Sequence, residues 1–126
     1  MKQTLSILSC ALLGSFLATA VQAGDALKCE KRINPARSKI SVKAEDLIPG
    51  AIYSSIVYSG KNSAVSSIAA NSAGEAEFDF DSNMANIMAG AKQIAPSFIN
   101  QAVTTTVTDA MGSKIINKLS AACRIK

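Results

Sequence analysis

Apolar and polar positions alternate with period two along much of the chain. In residues 38–44, Ile40, Val42 and Ala44 alternate with Ser41 and Lys43, the pattern of a strand with one buried face. Pro49-Gly50 punctuates, and residues 51–59 are rich in strand formers: Ile52, Tyr53, Ile56, Val57 and Tyr58. Gly60-Lys61-Asn62 marks another turn. Residues 63–70 carry Val65 and Ile68 among small side chains and end in the turn chemistry of Asn71-Ser72-Ala73-Gly74. The cleanest alternation is Glu75-Ala76-Glu77-Phe78-Asp79-Phe80-Asp81, which turns Ala76, Phe78 and Phe80 to the core and four carboxylates outward.

The period changes after Ser82, which reads as an N-cap, because Met84, Ile87, Met88 and Ala91 recur at helical spacing. This predicts one short helical connection ending near Gly90. Residues 94–100 are broken by Pro96, and residues 102–109 return to alternation through Val103, Thr105 and Val107. Residues 114–126 fit either period. As a strand they align Ile115, Leu119, Ala121, Cys123 and Ile125; as a helix they align Ile115, Leu119, Ala122 and Cys123. The Thr- and Val-rich segment before them favours the strand. About seven short strands with turn signals every 8 to 12 residues predict an all-β, immunoglobulin-like β-sandwich.

Within that pattern, Leu47-Ile48-Pro49-Gly50-Ala51-Ile52-Tyr53-Ser54-Ser55-Ile56-Val57 spells L-x-P-G-x-x-Y-x-x-x-V. This resembles the segment that carries the tyrosine corner of fibronectin type III domains. The resemblance implies that Tyr53 packs at a sheet corner with its hydroxyl bonded back to nearby backbone, and that the module binds or spaces other proteins.

The N-terminus has a different character. Lys2 precedes an apolar run over residues 5–17, and Val21-Gln22-Ala23 presents small residues where a signal peptidase reads them. Residues 1–23 are therefore expected to be a signal peptide cleaved after Ala23, leaving 24–126 as one exported domain, periplasmic or secreted. The run is too short to span a bilayer. Lipidation at Cys10 is the competing reading, and it would strand the apolar residues 12–17 on the mature chain. Cleavage also removes Cys10, leaving Cys29 and Cys123. In an oxidising compartment an even pair is most simply a disulfide, here tying the first strand to the last.

Charge and composition then narrow the chemistry. Losing Lys2 lowers the formal net charge from +4 to +3, a mild excess with no nucleic-acid footprint. Lys28, Lys31, Arg32, Arg37, Lys39 and Lys43 form the one local concentration of bases, read as a solvated strand face or as a contact for an anionic surface. The chain has no His, so neither a Ser-His-Asp triad nor a His-ligated zinc can form. Its nine carboxylates all fall on expected surfaces and no phosphate-cradling glycine motif occurs, so neither an enzyme nor a cofactor is expected.

Two constellations stand out. Asp79, Asp81 and Asn83 spell the D-x-D-x-N opening of a calcium loop, but Met84 and Gly90 occupy the positions of its Gly and bidentate Glu. A charged outer sheet face paired with lysines is the simpler account. Met84, Met88 and Phe98 lie in a connection more apolar than a plain link requires, either as a binding site or as packing over an open sandwich end. The leading expectation is a non-catalytic binding or structural module of the cell envelope, partnered by another envelope or secreted protein. The alternative is a secreted inhibitor or small-ligand carrier using the Met84-to-Phe98 connection.

Overall fold

A computed structural model describes residues 24–126; the expected signal peptide and Cys10 lie outside the described residues. The chain forms β1 (Ala26–Arg32), β2 (Arg37–Ala44), β3 (Ile52–Ser59), β4 (Asn62–Ala69), β5 (Ala76–Asp81), α1 (Met84–Met88), β6 (Lys92–Gln93), β7 (Val103–Asp109), β8 (Lys114–Ala121) and β9 (Arg124–Ile125). They make two sheets. Sheet A runs β6-β5-β2-β1-β9 and sheet B runs β4-β3-β7-β8. The all-β sandwich expected from the alternation is what forms, with the seven full strands joined by two of only two residues.

Alternation in the sequence becomes alternation in burial. From sheet A, Ile40, Val42, Ala44, Ala76, Phe78 and Phe80 point inward, and from sheet B, Tyr53, Val57, Val103, Val107 and Ile116 meet them. Ile94, Phe98 and Ile99, from the connection between β6 and β7, plug one end of this core. That connection is not in a ladder, so its backbone needs other partners. Ser38 Oγ donates to Pro96 O at 2.8 Å and accepts from Ile99 N at 3.0 Å; Ser59 Oγ accepts from the N–H groups of Asn100 and Gln101. Asn62 Nδ2 donates to Phe98 O.

The residues 47–53 form the corner that the sequence motif implies. Tyr53 is buried, and its hydroxyl accepts the Ile48 N–H at 3.0 Å as the chain crosses from sheet A to sheet B. The last crossing is at the C-terminal end, between β8 and β9, where Cys29 of β1 and Cys123 are bonded, with Cα atoms 4.7 Å apart. Such a bond fits an oxidising compartment. Beyond it, β9 pairs in parallel with β1, and Lys126 Nζ meets Glu30 Oε2 at 2.6 Å.

Three local expectations need correction. The helix is capped by Asn83, whose side chain accepts from Ala85 N and Asn86 N, while Ser82 Oγ instead accepts the Ser38 N–H of β2. In β8 the period breaks at a register shift against β7, so Ile116 is buried and Ile115 is exposed; an extra residue reverses every side chain before it. Asp81, expected at the surface, is only 2% exposed because α1 folds over the end of β5.

Candidate functional site

Asp81 occupies the outward side of β5, where its strand ends and α1 begins. Arg37 of β2 donates to it twice, Nε to Oδ1 at 3.0 Å and Nη2 to Oδ2 at 2.8 Å. Asn86 Nδ2 adds a bond to Oδ2 at 2.7 Å and the Asn83 N–H one to Oδ1 at 2.9 Å. Burial alone would raise this carboxyl, but the Arg37, Asn86 and Asn83 hydrogen bonds outweigh it and hold the pKa at about 2. Asp81 is therefore an anion at neutral pH that clamps β2, β5 and α1.

The suggested calcium residues are neighbours in space, but their oxygens are engaged. Both oxygens of Asp81 accept from protein donors and the Asn83 carbonyl caps α1. Asp79 stands on the open face beside Glu77, and burial followed by the Glu77 charge raises its pKa. Among the described residues no group of three or more His, Cys, Asp or Glu side chains could hold a metal ion.

The outer face of sheet A carries alternating signs. Lys39 stands opposite both Glu30 and Asp81, and Lys43 opposite Glu77. An open groove along this face is lined by Lys28, Glu30, Lys39, Ser41, Glu77 and Asp79. The basic concentration seen in the sequence is thus interleaved with carboxylates from β1 and β5.

The apolar connection splits in two. Phe98 is 5% exposed and packs in the core, whereas Met84 and Met88 are 59% and 82% exposed on α1. Five residues of helix bury nothing completely, so the helical spacing in the sequence marks a turn lying on the surface and not a core face.

The outer face of sheet B differs from everything above. Over three of its four strands, Ile52, Ser54, Ile56 and Tyr58 of β3, Ser63, Val65, Ser67 and Ala69 of β4, and Thr104, Thr106 and Thr108 of β7 form it, none of them charged, while the fourth, β8, carries Lys114 and Lys118. Hydroxyls link neighbouring strands: Ser54 to Ser67 at 2.6 Å and Thr104 to Ser120 at 3.1 Å. Ile52, Tyr58, Val65 and Ile115 are each close to half exposed. Strand reasoning alone did not single this face out. The signal was present as an absence, since across β3, β4 and β7 the only ionisable acid or base of the Asp, Glu, Lys or Arg type is Asp109, at the last position.

No family model matches the chain, and the comparisons with curated proteins and with solved structures gave no match. No helix among the described residues is long and apolar enough to cross a membrane.

Proposed function

We propose that the protein is a non-catalytic binding or structural module of the cell envelope, exported after cleavage following Ala23 into the periplasm or beyond, and that it meets another envelope or secreted protein through the outer face of sheet B. The observation that carries this reading is the charge-free face of β3, β4 and β7, with Ile52, Tyr58 and Val65 standing half exposed among hydroxyls. Protein interfaces are depleted of charge at their centre and enriched in tyrosine. The resemblance to an immunoglobulin-like sandwich supports the same role. One sheet takes β1, β2 and β5, the other β4, β3, β7 and β8, and the Tyr53 corner joins them, an arrangement resembling modules that bind or space other proteins.

A photo-activated crosslinker placed at Tyr58 or Thr106 in living cells should capture a partner, whereas the same group at Lys39 on sheet A should not. Recovery of uncrosslinked monomer alone from both sheet B positions, in cells where the protein is abundant, overturns the reading. Purified chain whose mass begins at Gly24 checks the export half.

A second reading keeps the carrier or inhibitor role for α1, because Met84 and Met88 project from the closed end of the sandwich and methionine adapts to varied surfaces. Phe98 belongs to the core and takes no part in it.

A further inference from the structure

Each sheet of an open sandwich has two edges, and an edge strand is a template for another chain unless something blunts it. Three of the four edges here are blunted. On sheet A, β6 covers β5 and β9 covers β1, each only two residues long and each carrying a base, Lys92 and Arg124. On sheet B, β8 carries Lys114 and Lys118 and is kinked by its register shifts. The fourth edge is β4. Its eight residues, Asn-Ser-Ala-Val-Ser-Ser-Ile-Ala, contain no charge and no proline, and its register against β3 runs unbroken from Ser59↔Asn62 to Ile52↔Ala69.

The hairpin geometry says which backbone groups are free. Gly60-Lys61 is a two-residue turn with positive φ at Gly60 (58°) and not at Lys61, the type II′ arrangement, so Ser59 and Asn62 form a hydrogen-bonded pair. Ala70 N donates to Ala51 O at the far end, which has the same parity. By alternation, the N–H and C=O groups of Ser63, Val65, Ser67 and Ala69 point away from β3, and among the described residues no strand lies beyond them.

We infer that β4 pairs antiparallel with β4 of a second copy of this chain, about a two-fold axis through Ser66. That register sets Val65 opposite Ser67 and Ser63 opposite Ala69 on the outer face, and Ala64 opposite Ile68 on the inner face, forming about eight backbone hydrogen bonds from the four outward-pointing residues. The occupant follows from charge. A strand bearing Lys, Arg, Asp or Glu would meet no counter-ion along β4, whereas a second β4 brings none and supplies the same straight, unkinked ladder. The contact uses the edge of β4 and not the face of sheet B, so it stands apart from the proposed partner docking.

Sedimentation equilibrium of the protein with its Cys29–Cys123 bond intact tests the inference. One strand pair sits at the small end of interface sizes, so the average mass should climb with concentration toward twice the monomer. Val65→Lys puts like charges into the pairing and should return the mass to that of the monomer. Ser63→Pro removes only an outward N–H and should do the same while leaving the Tyr58 crosslinks of the partner-docking test unchanged. Gln93→Lys, on the β6 edge, should leave the doubling intact. A monomer at every concentration overturns the inference, as does a dimer that survives both Val65→Lys and Ser63→Pro.

Discussion

The two sheets share one core but solve the problem of facing water in opposite ways. Sheet A alternates Lys39, Glu30, Lys43 and Glu77 across its outer face, closes both edges with short charged strands, and has the covalent bond at one margin. Sheet B presents serine, threonine and scattered Ile, Val and Tyr, with one edge left straight and uncharged. Sheet A is protected against association at both edges, and sheet B lacks that protection at β4. On the proposed reading, this difference puts partner contact on sheet B and leaves sheet A to hold the ends of the chain.

The largest effect should come from removing the tie between the sheets. The 94 positions separating Cys29 from Cys123 mean that the bond closes nearly the whole described domain. Loop-closure entropy values this at roughly 4 to 5 kcal/mol, and a domain of this size loses several degrees of Tm per kcal/mol. The Cys29→Ser/Cys123→Ser double variant should therefore melt about 20 °C lower. Hydrogen exchange sharpens the comparison: the amides of Lys31 and Ile33, which face the C-terminal strand, should speed up far more than those at the centre of β3. Uniform acceleration in both sheets would mean that the bond supports the domain as a whole and not the margin of sheet A.

Next in size is a change at the end both sheets share. Phe98→Ser should cost about 3 to 5 kcal/mol, since it empties a buried aromatic site and leaves a hydroxyl in its place. Met84→Ser with Met88→Ser should alter the melt by no more than about 0.5 kcal/mol, because both side chains stand in solvent. Lost ligand binding in that double variant, with an unchanged melt, would move the interaction surface from sheet B to α1.

These residues also show what the chain discloses before folding. Period two located β2, β3, β5 and β7, because a half-buried strand writes its burial into every second residue, and β5 does so without exception up to Phe80; β1 carries no such pattern and β8 fits either period. The Tyr53 corner was legible because the spelling from Leu47 to Val57 resembles the tyrosine-corner segment of fibronectin type III domains, a local unit within one stretch of chain. The bulge in β8 was not, since an inserted residue leaves Ile115 and Ile116 interchangeable until β7 sets the register. Asp81 was misplaced for a related reason: its partner Arg37 lies 44 residues away, and only the pairing of β2 with β5 brings them together. Met84 and Phe98 looked alike as apolar residues in one connection, and only the sandwich end distinguishes plug from surface.

A destabilisation smaller than that of Phe98→Ser gives the finest test of the contrast, because each sheet holds a polar pair of a different kind. In sheet A it is Arg37 with Asp81, and in sheet B it is Ser55 with Thr105, 2.9 Å apart. Thr105 Oγ1 donates to Ile56 O, so Ser55 must donate to Thr105. Asp81→Asn and Thr105→Val should each cost about 1 to 2 kcal/mol at neutral pH. Their acid behaviour should differ. The Asp81 carboxyl is lowered in the fold to about 2 from the 3.8 of a free group, so its contribution is complete above the unfolded value and is lost as pH falls from about 4 through about 2. Asp79, raised by burial and by Glu77, acts in the opposite sense over the acid range, and Asp81→Asn removes only the lesser contribution of the Asp81 charge to that rise. In urea melts at stepped pH, the gap between wild type and Asp81→Asn should therefore close on acidification. The gap between wild type and Thr105→Val should hold constant, because neither hydroxyl titrates there. A Thr105→Val gap that closes with acid, or an Asp81→Asn gap that does not, would show that the polar pairs of the two sheets do not divide into ionic and neutral clamps.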